Sequence, residues 1–65
     1  MQDYQQRVVD EKLELDGRLE RLTAFTESEG FRKVDIGERS RMLHQAIAME
    51  TYSKILSERI DAFVE

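Results

Sequence analysis

The chain has 65 residues, ten Lys and Arg against fourteen Asp and Glu for a net charge of −4, no Cys, no Pro and a single His. That length holds one domain, 1–65, with a small core, and the missing Cys removes disulfides and thiolate metal sites as supports, leaving oligomerisation. The acidic balance argues against binding long nucleic acid, which needs a net-positive face, while 40 % hydrophobic and 37 % charged residues suit a folded helical chain rather than a disordered one.

The first predicted element is a helix over about 3–28, because Tyr4, Val8, Leu15, Leu19, Leu22 and Thr26 fall on one stripe at the roughly 3.6-residue helical period. Gly17 lies inside it, where Gly costs about 1 kcal/mol relative to Ala unless a close helix crossing or a tolerant surface excuses it. A turn follows over 29–35, placed by Gly30, where the apolar period stops. Asp35-Ile36-Gly37-Glu38 then reads as an N-cap with an acid three residues on, a capping-box variant. The second helix runs over about 36–63 on the stripe of Met42, Ala46, Met49, Leu56, Ile60 and Phe63, with Gln45, Tyr52 and Val64 at its edge. Two helices of roughly 40 Å joined by a short connection make an all-α, antiparallel helical hairpin.

Each helix carries a second, smaller apolar set: Val9, Leu13 and Ala24 on the first, Ile36, Leu43 and Ile47 on the second. Two helices cannot bury two stripes each against one another, so the expected state is a homo-oligomeric helical bundle. No apolar run reaches the ~20 residues of a membrane span, and Met1-Gln2-Asp3-Tyr4 does not begin a secretory leader, so a cytoplasmic location is expected.

Chemistry-bearing residues gather in two places. Arg32, Lys33, Arg39 and Arg41 crowd the turn and the start of the second helix beside Phe31, where helix amides favour an anion; a solvated turn with Asp35 and Glu38 as counter-charges is the plainer alternative. On the second helix, Arg41, Gln45, Ala48, Tyr52 and Arg59 line one edge, supplying planar forks for phosphate, an amide and a stacking ring. Arginines snorkelling over apolar neighbours, with Gln45 setting core registry, would give the same edge. Arg7, Arg18 and Arg21 share a side of the first helix, Glu14 standing four residues before Arg18 as an ion-pair partner. His44 stands alone, and no Ser-His-Asp set, Gly-rich phosphate loop or metal-ligand spacing is present, so neither catalysis, a metal nor a cofactor is expected.

With these residues in view, the sequence resembles the phage helical-hairpin domain of the anti-CBASS and anti-Thoeris cyclic-nucleotide sponges. The resemblance is carried by Arg7-Val8-Val9-Asp10-Glu11-Lys12 with Glu14-Leu15, by Leu19, Leu22, Phe25 and Phe31, and above all by Gln45, Met49, Tyr52, Leu56 and Arg59-Ile60. It implies a symmetric assembly, a hexamer, that holds cyclic di- or trinucleotides or cyclic ADP-ribose isomers between protomers without cleaving them, in the cytoplasm of an infected bacterial host. Larger members carry additional segments around the hairpin that this chain lacks, so the resemblance does not fix the ligand. The candidate ligand-binding set is Arg7, Phe31, Arg32, Lys33, Arg41, Gln45, Tyr52 and Arg59. Two other classes of function compete: a small helical bundle that recognises structured RNA, and an adaptor hairpin that binds a host protein through its second apolar stripe.

Overall fold

The structure is a computed structural model that describes residues 1–63. Two long helices, α1 (Asp3–Thr26) and α3 (Ile36–Asp61), pack side by side as a hairpin, and a single helical turn, α2 (Glu29–Arg32), occupies the connection. The long helices end two residues inside each predicted C-terminal boundary, where the last turn gives way to caps.

Local chemistry accounts for the boundaries. At the start of α1 the Gln2 backbone N–H donates to Gln5 Oε1 at 2.8 Å, using one of the amides a helix leaves orphaned. At its end Thr26 Oγ1 donates to the Thr23 carbonyl at 2.7 Å and Ser28 Oγ to that of Phe25 at 2.6 Å. The break comes from Ser28, which is extended, and Asp35, at φ −49° and ψ 139°, both non-helical ahead of the next helix. Gly30 is instead helical, within α2, and no glycine among the described residues has a positive φ. Asp35 caps α3 as expected, its Oδ2 accepting from Gly37 N–H at 3.1 Å. Glu38 does not reach back to close a capping box; it accepts from Arg41 Nε at 2.8 Å.

The seam between α1 and α3 is more regular than the apolar residues alone suggested. Buried and partly buried positions recur on α1 at Gln5, Val8, Lys12, Leu15, Leu19, Leu22 and Thr26, and on α3 at Arg39, Met42, Ala46, Met49, Ser53, Leu56 and Ile60, followed by Phe63. Their steps alternate between three and four residues, the heptad of a coiled coil, here antiparallel. Five seam positions are polar, and this hid the pattern. Tyr4 is a corrected assignment: Gln5 takes the seam, while Tyr4 stays exposed beside it with its ring edge-on to Phe63 at 5.9 Å.

The fully packed core is Val8, Leu15 and Leu56, against which Met49, Ile60 and Phe63 lie. Val8, Leu56, Ile60 and Phe63 occupy the half of the hairpin remote from the turn, with Leu15 and Met49 near its middle. Leu19, Leu22, Met42 and Ala46 in the turn half are only partly buried. Between core layers sits a polar cluster: Ser53 Oγ donates to Asp16 Oδ1 at 2.5 Å, and Lys12 Nζ donates to Asp16 Oδ2 at 2.5 Å and to Ser53 Oγ at 3.3 Å. These bonds tie the helices in one register. They also hold the Asp16 carboxyl below its ordinary pKa, the Lys12 hydrogen bond contributing most and that of Ser53 next, against a smaller opposing effect of burial.

Gly17 does not serve a close crossing. A Cβ built there would meet only Arg21 Nη1, at 3.5 Å, on the outward side of α1. Leu13, Ile36, Leu43 and Ile47 of the second apolar sets are exposed in the single chain, as expected if they await a partner. Val64, placed at the stripe's edge from the sequence, lies outside the described residues. No described helix is long and apolar enough to cross a membrane.

Candidate ligand-binding flank

The heptad sorts the exposed residues into two flanks. Taking Gln5, Lys12, Leu19 and Arg39, Ala46, Ser53, Ile60 as positions a, and Val8, Leu15, Leu22 and Met42, Met49, Leu56 as positions d, like edges face each other in an antiparallel pair: g beside g, e beside e. Two contacts check the assignment. Tyr4, at g, meets Phe63, at d, on one side; Asp16, at e, meets Ser53, at a, on the other.

The g and c flank carries Tyr4, Arg7, Arg18, Arg21 and Phe25 from α1, and Arg41, Gln45, Tyr52, Ile55 and Arg59 from α3. Five of the eight candidate residues therefore share this flank: Arg7, Arg41, Gln45, Tyr52 and Arg59. The antiparallel register sets Arg7 and Arg59 at the same level near the open end, since the neighbouring residues Tyr4 and Phe63 are paired there. Phe31, Arg32 and Lys33 are displaced to the turn end, on α2 and its cap.

The side chains differ in how committed they already are. Arg41 is held by Glu38, and Arg18 by Glu14 in the expected i,i+4 pair. Among the described residues no carboxylate stands within ion-pair distance of the candidates Arg7, Arg59, Arg32 and Lys33, nor of Arg21, Arg39 and Lys54, so these four candidates can take an external anion. Gln45 is exposed, so it is not a seam residue; its Nε2 approaches Met49 Sδ at 3.8 Å. Tyr52 presents its ring at 42 % exposure. Phe31 is partly buried and its ring stands at 89° to that of Phe25, with centroids 6.2 Å apart, so one edge is used within the fold.

Sequence reasoning passed over Lys12, Asp16 and Ser53, which the structure joins, and placed Arg21 apart from the α3 edge whose flank it shares. The three-four spacing would have exposed Lys12 and Ser53 had polar residues been admitted to the stripe. His44 is exposed on α3, and no group of three metal-binding side chains occurs among the described residues.

Guanidinium forks, an amide and aromatic faces on one side of a rigid rod are groups that hold a ligand by charge and stacking. Fold and flank together define a small helical-hairpin binding module. Over residues 2–62 the chain matches the family model Sequestin, and it belongs to that family, whose name denotes sequestration. No curated protein and no solved structure matches it.

Proposed function

We propose that this chain is a phage anti-defence sponge that binds cyclic nucleotide immune signals, cyclic di- or trinucleotides or cyclic ADP-ribose isomers, and sequesters them without cleavage in the cytoplasm of the infected host. The observation that carries the reading is the placement of Arg7 and Arg59, unpaired among the described residues, with Gln45 and Tyr52 on one flank of a chain in a sequestering family. A nucleotide makes two demands, a fork for each phosphate and a flat surface for each base, and this flank supplies both. The turn residues Phe31, Arg32 and Lys33, 19 or more positions along the chain from Tyr52 and Arg59 and folded to the opposite end from Arg7, serve a separate pocket. A flank of an isolated two-helix rod is convex, so an enclosed pocket requires a neighbouring protomer, and a homo-oligomer, in the resembling family's terms a hexamer, belongs to the reading.

Isothermal titration against a panel of cyclic dinucleotides, cyclic trinucleotides and cyclic ADP-ribose isomers tests it, with chromatography of the recovered ligand. Saturable binding with the ligand returned intact is the expected result. Silence across the panel, or a hydrolysed product, would overturn it.

A further inference from the structure

We propose that the e and b flank, bearing Val9, Leu13, Ile36, Leu43 and Ile47, is the surface on which a second copy of this chain packs in the ligand-free protein, leaving the arginine-bearing flank open until a further protomer closes over a ligand there. This rests on the reading of the chain as a homo-oligomer, and adds which face makes the contact.

Four of these five aliphatic side chains are largely exposed in the single chain, Ile36 at 74 %, Leu13 at 69 %, Ile47 at 60 % and Leu43 at 45 %. The heptad puts residues from both helices on the same side: Val9, Ile36 and Leu43 at e, Leu13 and Ile47 at b. Apolar residues at a, d and a flanking position widen a two-helix seam into the face of a larger bundle. The opposite flank also has exposed apolar groups, but they are the aromatics Tyr4, Phe25 and Tyr52 with Ile55, interleaved with arginines that a dry contact would have to desolvate.

Three further features favour a copy of the chain as the occupant. The hairpin measures 49 Å by 14 Å, a flank of about 700 Å², close to the ~800 Å² that each partner buries in an interface of standard size. The ionic group at the middle of this flank, Asp16, is already paired with Lys12 and hydrogen-bonded by Ser53 of its own chain, so covering it does not strand a charge. The other charged residues of its central part are Glu20 and Glu50 against Lys54, opposite signs that two copies can pair across the contact. In addition, Arg39 at the seam beside this flank has a buried Nε with no acceptor among the described residues, and a buried donor left unpaired costs stability until a neighbour supplies one.

The experiment compares charge insertions on the two flanks by sedimentation velocity at micromolar concentration, with far-UV circular dichroism to follow folding. Leu13→Lys and Ile47→Lys should lower the assembly state, while Ile55→Lys on the other flank leaves it unchanged. Because a variant could lose its fold with its partner, a second measurement uses the absence of cysteine: Leu13→Cys and Ile47→Cys in the assembled protein should react with maleimide at least tenfold more slowly than Ala48→Cys and Ile55→Cys. A wild-type monomer would overturn self-association itself. An oligomer in which Cys at 13 and 47 reacts as fast as Cys at 48 and 55, or which only Ile55→Lys dissociates, would overturn the choice of flank and leave self-association standing.

Discussion

Leu56→Ala is the sharpest probe of how the hairpin holds together. Leu56 is the one fully buried large side chain among the described residues, packed in the cluster of Val8, Leu15, Met49, Ile60 and Phe63. Truncation to Ala removes three carbons, about 2.4 kcal/mol of transfer free energy at ~0.8 per carbon. The cavity they leave adds a further increment, for a total of about 3–4 kcal/mol. A domain of this length has roughly 3–10 kcal/mol of stability in all, so the substitution removes between a third and the whole of it. At about 4–8 °C per kcal/mol the melting temperature falls by more than 10 °C, read by circular dichroism at 222 nm. The paired control is Leu13→Ala. In an isolated hairpin it touches an exposed side chain and costs less than about 0.5 kcal/mol; where a second copy covers Leu13 the loss grows to about 2 kcal/mol and melting depends on protein concentration. A Leu56→Ala protein that melts within 3 °C of wild type would refute the seam as drawn.

Gly17→Ala should stabilise the protein by about 0.5–1 kcal/mol, since the new methyl meets only a movable guanidinium and the helix loses a flexible residue; a fall in melting temperature would show that the position is tighter than its geometry. Asp16 has a folded-state pKa below its unfolded one, so its contribution is in place above the ordinary carboxylate range and is lost as pH falls through the lowered folded value. Ser53→Ala removes one of the two hydrogen bonds to that carboxylate and should move its titration, followed by carboxyl carbon NMR, to higher pH; an unmoved curve would mean the bond is absent in solution. Removing the stacking ring with Tyr52→Ala should weaken ligand binding roughly 5- to 150-fold in calorimetry. Arg59→Ala should weaken it as well, while His44→Ala, exposed on the outward side of α3 and on neither flank, leaves it intact. Equal affinities for all three variants would reassign Tyr52 and Arg59 to packing and snorkelling.

The hairpin and its cap at Asp35 were legible because apolar periodicity and capping chemistry are local. The true seam was less so, for Gln5, Lys12, Arg39 and Ser53 occupy positions where a hydrophobicity reading expects Leu or Ile. Lys12 and Ser53 earn those positions through a carboxylate one turn beyond Lys12 and a partner helix 41 residues away from it along the chain. Only the pairing register reveals such a match. The same limit applied to the flank. The edge of α3 bearing Gln45, Tyr52 and Arg59 could be read from spacing within one helix. That Arg7 and Arg21 border it is a consequence of antiparallel alignment, which no single-helix pattern contains.

The uneven placement of the core has a kinetic consequence. A seam one side chain deep behaves as a row of layers, each leaning mainly on its neighbours, so local opening follows local burial. Val8 and Leu56 are toward the open end, where both described termini lie, Leu15 is at the middle, and the covalently closed end has no fully buried side chain among the described residues. A helical pair ordinarily frays from its loose ends inward. Here the segment spanning Val8–Leu15 and Leu56–Ile60 is expected to exchange its amide hydrogens last and the turn region first, which would put the arginines and aromatic rings near α2 on the part of the rod that can yield to a ligand without unzipping the rest.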